Sequence, residues 1–292
     1  MDVSIIIVNY NTKDLTLNCI DSIYKYTSDV SFEIILVDNN STDGSKELFS
    51  NDRRVVWVES NENLGFGKAN NLGFKYAKGD YIFLLNSDTI LLNNAIYILL
   101  DYLKNKASTV VGVGCFLEDK EGNIIQSEGE YLSISKTLYN KFCSLMSLGY
   151  SLKNQEKINR MDLPSEKQVE VIVGADLLLS RIVIEKYGFF NPRFFMYHEE
   201  NDLQRRYATL SNKKFILLST PRIIHLEGGS SSPSMKKRIM GERGMFTYLS
   251  LWNNKFKYLF FRILFFILRL PLVFNKKYSF DERKEYFIHL LS

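Results

Sequence analysis

Tyr81-Ile82-Phe83-Leu84-Leu85-Asn86-Ser87-Asp88-Thr89 sets an apolar run directly against a short polar turn with one carboxylate. Five apolar residues in succession fit a strand buried on both faces. A polar triplet closing such a strand offers a hard oxygen ligand at a sheet's edge, where a divalent cation and a diphosphate can meet. Asn-Ser-Asp is equally ordinary turn chemistry, so its meaning depends on what the other strand ends carry.

Working outward, Val3 to Val8 and Glu33 to Val37 repeat the apolar pattern, and Val55 to Val58 repeats it in shorter form. Helical patterns separate them: Leu15 to Tyr26 behind a Thr12 cap, Gly44 to Phe49, and Gly67 to Ala77 ending before Gly79. Strand–helix alternation predicts right-handed crossovers and a doubly wound α/β sheet with its ligand crevice beyond the carboxyl ends of the strands. Those ends carry Asn9-Tyr10-Asn11, Asp38-Asn39-Asn40, Asn61-Glu62-Asn63 and Asn86-Ser87-Asp88. Four unrelated turns are a poor explanation for this recurrence. Asp38 is placed either to accept a nucleobase ring N–H or to cap the turn through Asn40-Ser41-Thr42. Gly65-Phe66-Gly67 lacks a third spaced glycine, so it predicts a shaped nucleotide pocket rather than a dinucleotide loop.

The 292 residues, 46% hydrophobic and 24% charged, suffice for one large or two small domains. Cys19, Cys115 and Cys143 have neither disulfide-framework nor zinc-ligand spacing, which fits a reducing compartment. The first strand begins within two residues of Met1, leaving no room for a secretion signal ahead of it. The net charge of +4 is spread along the chain and does not argue for nucleic acid. Residues 112–170 are less regular and end in a polar stretch from Lys153 to Glu170, read as further strands and a mobile acceptor-side insertion. Val169 to Leu179 is another apolar segment, interrupted by Gly174-Ala175-Asp176.

A second polar constellation follows in Phe194-Phe195-Met196-Tyr197-His198-Glu199-Glu200-Asn201-Asp202-Leu203-Gln204-Arg205-Arg206. In a helix starting near Glu199, helical spacing stacks Glu199, Asp202 and Arg206 on one face, and Glu200 points about 100° away from Glu199. A partly desolvated first-turn carboxylate suits a general base, although acidic residues there also serve the helix macrodipole alone. His225, before Leu226-Glu227-Gly228-Gly229-Ser230, offers an imidazole ligand beside glycines that allow close approach to phosphate. His198 adjoins the acidic pair as a supporting partner.

The tail differs in kind. Lys255 to Asn275 is rich in Phe, Leu and Ile but is interrupted by Lys257, Arg262 and Arg269, and its run from Ile263 to Leu268 is too short to span a bilayer. An interfacial helix is expected, with Arg262 and Arg269 on one face, Tyr258 and several Phe residues as the apolar body, and Lys276-Lys277 after it. A buried helix at a domain or homo-oligomer contact is the competing reading.

With these blocks in order, the chain resembles the family 2 inverting glycosyltransferases, in the subgroup of bacterial rhamnosyltransferases. The matching stretches are Val3 to Asn11, Ile34 to Ser45, Asn63 to Asn70, Tyr81 to Thr89, Val173 to Arg181, Phe194 to Arg206 and His225 to Ser230. The resemblance implies a glycosyltransferase A-type fold: a Rossmann-like, mostly parallel sheet flanked by helices. Residues 1–110 are then expected to form a nucleotide-binding half and 111–250 an acceptor-binding half of one catalytic domain, with the amphipathic, membrane-associating tail at 251–292 beyond it. By position, Val8, Asn9, Tyr10, Asp38, Gly65 and Phe66 would line the nucleotide sugar, together with Asn86, Ser87 and Asp88. Asp88 and His225 would hold Mg²⁺ or Mn²⁺. Glu200 would be the base, with Asp202 in reserve, and Gly174, Ala175, Glu199 and Arg206 would support the acceptor side.

The chain departs from the family pattern at Asn86, where aspartate is frequent, and at Glu200, where the base is usually Asp. The implied reaction takes rhamnose from dTDP-rhamnose, or galactofuranose or another hexose from a UDP-sugar. The implied acceptor is a polyprenyl-diphosphate-linked saccharide at the cytoplasmic membrane surface, in O-antigen, capsule or wall polysaccharide assembly. A sugar-nucleotide pyrophosphorylase would need a Gly-rich basic loop that Val8 to Thr12 does not supply. A non-catalytic nucleotide-sugar binding protein would not require Glu200 and Asp88.

Overall fold

Uninterrupted apolar runs become strands covered on both faces. The computed structural model describes residues 1–146, 158–226 and 234–292. In chain order its first half comprises β1 (Val3–Asn9), α1 (Lys13–Tyr26), β2 (Phe32–Asp38), α2 (Ser45–Phe49), β3 (Val56–Glu59), α3 (Gly65–Phe74), β4 (Tyr81–Leu85), β5 (Thr89–Leu91), α4 (Ala95–Lys106) and β6 (Val110–Cys115). There follow β7 (Glu128–Gly129), α5 (Ile134–Leu145), β8 (Glu166–Val169), β9 (Val171–Ile172), β10 (Asp176–Ser180), α6 (Arg181–Tyr187), α7 (Glu199–Ser211), β11 (Lys214–Leu218) and β12 (Ile223–His225). Three helices close the chain: α8 (Met235–Trp252), α9 (Lys255–Val273) and α10 (Phe280–Leu291).

The main sheet has the order β3-β2-β1-β4-β10-β6-β11-β8. β1 runs parallel to β2 and β4, β2 to β3, and β6 to β11. β10 is antiparallel to both β4 and β6, and β8 is antiparallel to β11. Period-two alternation divides each strand between two cores. Ile5 and Ile7 pack with Cys19, Ile20 and Ile23 of α1 and Ile96 and Leu99 of α4, whereas Ile6 joins Ala69 of α3 and Leu203 of α7 on the other face. Burial on both sides explains why these strands read as continuous apolar runs. Two short ribbons, β12–β5 and β7–β9, pair outside this sheet.

Local differences from the expected elements have local causes. Thr12 precedes α1 without capping it, because its hydroxyl is engaged by Asn9 and Ser87. α3 starts at Gly65 rather than Gly67, and the Phe66 N–H in its first turn donates to the Phe195 carbonyl at 3.2 Å.

The described residues fall into two compact units, one drawn from Met1–Tyr131, Lys157–Phe195 and Glu199–Gly229, the other from Leu132–Glu156, Met196–His198 and Ser230–Ser292. Residue 250, the boundary expected from sequence, lies inside α8, which belongs to the second unit. That unit also contains α5, α9 and α10. Its core joins Ile239, Phe246 and Leu249 of α8 to Phe261 and Phe265 of α9 and Tyr286 of α10. Within it Glu242 accepts from Arg269 Nη2 at 2.5 Å and from Tyr286 Oη at 3.1 Å, and lies 3.2 Å from His289 Nε2. Arg262 stacks 4.0 Å above the Phe246 ring and donates to the Leu290 carbonyl. The tail arginines therefore do not form the outward face expected of them: Arg269 is buried, and both are used inside the unit. Part of the expected insertion (residues 153–157), and Glu227, Gly228, Gly229 and Ser230, lie outside the described residues.

Candidate active site at the strand ends

Four strands of the sheet end in polar side chains that bond one another. Asn9, at the end of β1, is fully buried and uses its whole carboxamide. Its Nδ2 donates to Asp38 Oδ1 at 2.9 Å and Ser41 Oγ at 3.0 Å, and its Oδ1 accepts from Thr12 and Thr16, each at 2.9 Å. An amide has two donor hydrogens and two acceptor lone pairs, so no valence remains for a ligand. The side chain fixes the loops at the ends of β1 and β2. Asp38 also accepts from the Ser41 N–H at 3.1 Å and is buried. Carboxylate oxygens retain further lone pairs, so these two bonds leave acceptor capacity. Tyr10, next to Asn9, is exposed.

Asn39 makes the next link, donating to Asn63 Oδ1 at 3.0 Å and accepting the Leu64 N–H at 2.8 Å. This joins the ends of β2 and β3 to the start of α3. Gly65 there has φ +75°, and a Cβ on it would stand 1.7 Å from the Phe195 carbonyl oxygen. Only glycine meets both demands. The Thr12–Ser87 hydroxyl contact at 2.9 Å ties β1 to the turn after β4.

In that turn, β5 pairs with β12 so that Thr89 stands opposite His225, and the Leu226 N–H donates to the Asp88 carbonyl. His225 Nε2 consequently lies 3.3 Å from Asp88 Oδ1 and 3.4 Å from Asn86 Nδ2. Sequence positions 137 apart (88 to 225) thus form one corner. Its carboxylate oxygen fits Mg²⁺ or Mn²⁺, and the imidazole is a general divalent-metal donor beside it; Mg²⁺ keeps waters and takes substrate phosphate oxygens rather than demanding an all-protein cage. Among the described residues no group of three His, Cys, Asp or Glu is assembled for a metal.

Gly174 and Ala175 connect this corner to the acidic helix. The Asn86 N–H donates to the Ala175 carbonyl at 3.0 Å. A Cβ on Gly174 would stand 3.5 Å from Phe66 Cε1 and 3.7 Å from Glu200 Cβ. α7 begins at Glu199 after two successive left-handed residues, Tyr197 at φ +69° and His198 at φ +68°. Glu200 is half-buried, whereas Asp202 is buried with its Oδ2 3.7 Å from Arg206 Nε. Arg206 does not neutralise Glu199. Its guanidinium donates to the carbonyls of Tyr187, Gly188 and Phe189, anchoring α7 to the loop after α6. Glu199 is buried, with no hydrogen-bond partner for Oε2 among the described residues. Burial, and then the neighbouring Glu200, push its carboxyl well above the ordinary range. A neutral Glu199 adds no second negative charge beside Glu200.

Several supporting residues escaped the sequence reading. Gln204 clamps Ile172 with both ends of its amide, accepting its N–H at 2.8 Å and donating to its carbonyl at 2.7 Å. It lies four residues after Glu200, on the same helical face, and that spacing was a usable signal. Asn39 left none for its linking role, since its partners Asn63 and Leu64 lie 24 and 25 residues further along the chain.

A mixed sheet with this order and a polar, carboxylate-bearing rim defines a glycosyltransferase A-type fold. GalNAc-T7, solved with UDP, GalNAc and Mn²⁺, superimposes with a TM-score of 0.61 at 15% identity, covering 88% of this chain and 49% of that one. Residues 4–173 match glycosyl transferase family 2, and the chain belongs to that family. It is 34% identical over 126 residues to glycosyltransferase GlyG of Streptococcus pneumoniae serotype 4, covering 41% of this chain and 42% of that protein. It is 26% identical over 203 residues to a low-salt glycan biosynthesis hexosyltransferase of Haloferax volcanii, covering 68% and 59%. The chain thus spans less than two thirds of these relatives.

Proposed function

We propose that the chain is an inverting, metal-dependent hexosyltransferase acting from a nucleotide-sugar donor on a polyprenyl-diphosphate-linked saccharide, at the cytoplasmic membrane face, in surface polysaccharide assembly. The observation that carries this reading is the bridge made by Gly174-Ala175. It sets the Asp88–His225 corner, suited to a diphosphate, next to a half-buried carboxylate, Glu200, suited to a proton. The glycan-synthesising relatives and the Mn²⁺-bearing fold neighbour support it.

Asp88 and His225 would hold Mg²⁺ or Mn²⁺. When bound, such an ion stabilises charge on the departing nucleoside diphosphate. Asp38, fixed by Asn9, takes the base, while Tyr10 and Phe66 flank the nucleoside and Gly174 leaves room for the sugar. Glu200 accepts the proton of the acceptor hydroxyl as that oxygen bonds to the anomeric carbon and the diphosphate leaves from the opposite face. One displacement inverts the configuration. dTDP-rhamnose is the preferred donor, by resemblance to the rhamnosyltransferase subgroup, with UDP-galactofuranose and other UDP-hexoses next.

The test incubates the full chain with a panel of dTDP- and UDP-sugars, Mn²⁺ or Mg²⁺ and a lipid-diphosphate saccharide, following both nucleotide release and glycolipid. Glycolipid of inverted configuration is expected, greatest with dTDP-rhamnose. Saturable donor binding without turnover across the panel overturns the enzymatic reading, and nucleotide release without glycolipid overturns the acceptor.

A further inference from the structure

Helix α9 presents its apolar side to solvent and keeps a charge inside. Its buried positions are Phe261, Phe265 and Arg269, at four-residue spacing, with Arg269 bonded to Glu242 and Tyr286. Phe256, Phe260, Ile263 and Ile267 form a different face and are 84, 61, 53 and 57% exposed. Spacings of four, three and four make them one continuous stripe. Exposed Leu259 broadens it. α10 adds exposed Phe287, Ile288 and Leu291, with the Phe287 ring 6.3 Å from Phe266 of α9. Contiguous apolar surface of this kind marks an interaction site.

Charge identifies the occupant. α9 contains no Asp or Glu, and exposed lysines stand at both ends of the stripe: Lys255 and Lys257 before it, Lys276 and Lys277 after it. A helix of 19 residues is about 28 Å long at ~1.5 Å per residue, so the lysine pairs stand a helix length apart with apolar side chains between them. A second copy of the chain, joined as a coiled coil, would call for a narrow seam flanked by complementary charges. Here Leu259, Leu264 and Phe266 beside the stripe are apolar.

We infer that this face of α9 and α10 docks on an anionic lipid bilayer, α9 lying in the interfacial plane with its lysines at the headgroups. The side chains that enter the lipid are the phenylalanines and isoleucines of the exposed stripe, while Arg269 holds the second unit together from within. This rests on the membrane-side reading proposed above, but its test needs neither donor nor turnover, so the two can fail separately.

The test is flotation of the full chain with phosphatidylcholine vesicles, with and without phosphatidylglycerol. Wild type is expected to float with the anionic vesicles. The triple variant Phe260→Glu, Ile263→Glu and Ile267→Glu should lose at least ~100-fold in partitioning, with an unchanged thermal midpoint because all three positions are exposed. Lys255→Glu with Lys257→Glu should weaken binding by roughly fivefold per lysine, on anionic vesicles only. Should the triple variant misfold, Ile263→Ser with Ile267→Ser is the milder probe and should still lower flotation. Wild type that stays at the bottom of the gradient overturns the inference, as does a folded triple variant that floats like wild type. A wild-type dimer that the triple variant converts to monomer, without vesicle binding by either, assigns the face to a second copy instead.

Discussion

Glu199 and Glu200 are adjacent carboxyls in unlike surroundings, and that contrast separates their roles. Glu199 is buried and pushed toward neutrality, whereas half-buried Glu200 stands beside Gly174 and Phe66. General-base catalysis contributes ~10²–10⁴-fold. Glu200→Gln should therefore lower turnover at least ~100-fold while leaving donor affinity within about twofold, read by turnover assays and donor titration; turnover near wild type refutes the assignment. Asp176 makes a separate case. Burial pushes its carboxyl up to about 7, against the bond it accepts from the Cys115 N–H at 2.6 Å. The unfolded carboxyl loses its proton near pH 4. Between those values the folded state binds more protons than the unfolded one, so this residue makes stability fall as pH rises. Asp176→Asn has no charge to bury. From pH 4.5 to pH 7.5 its stability relative to wild type should rise by on the order of 2 kcal/mol or more, measured by urea unfolding. Asp88, Glu200 and His225 could be singled out as candidates in sequence because their residue types stand out at the ends of apolar runs, whereas the 3.3 Å approach of His225 to Asp88 could not. The saturation of Asn9 was not legible, because its partners lie on three other segments.

Elements were legible where one segment's own pattern decides them. The apolar runs set β1, β2 and β4 to within a residue of each end, and the acidic segment set the start of α7. Strand direction was not readable, since β10 has the same apolar character as its parallel neighbours yet runs antiparallel between β4 and β6. The turn into α7 was equally hidden: it takes positive φ at both Tyr197 and His198, and although histidine is enriched in that region, tyrosine is not. The start of α3 belongs to the same class, because Gly65 is required by a carbonyl 130 residues later, at Phe195. Gly65→Ala meets both a positive φ and an oxygen at 1.7 Å. It should cost at least ~2 kcal/mol in urea unfolding and weaken donor binding, because the segments it joins line the proposed nucleoside site. A Gly65→Ala variant with wild-type stability and donor affinity would sink this account of the junction.

At the scale of the whole molecule, the tail is structural before it is anything else. Its sequence suggested a helix whose arginines face the headgroups, because helical spacing reveals which residues share a face but not which face is buried. The deciding residue was Glu242, 27 positions before Arg269 and on another helix. Burial alone would push the Glu242 carboxyl up. Contacts with His289 and Arg269 outweigh burial and hold it below the ordinary range, so the pair is ionised inside the unit. Losing one partner of a buried pair costs ~3–5 kcal/mol, whereas replacing both with apolar groups of similar size is often neutral. A chain ending at Asn254 would strand Glu242 without Arg269, Tyr286 or His289, and its loss of function would say nothing about membranes. Point substitution is the sharper probe. Trp57 and Trp252 are the only tryptophans, so in a Trp57→Phe background Trp252 fluorescence reports on α8 alone. There Arg269→Met should destabilise the second unit by ~3–5 kcal/mol in urea, and adding Glu242→Met should recover at least half of that loss. If the double variant is no more stable than Arg269→Met, the charge pair is not what closes this unit, and the outward set of the apolar stripe loses its cause.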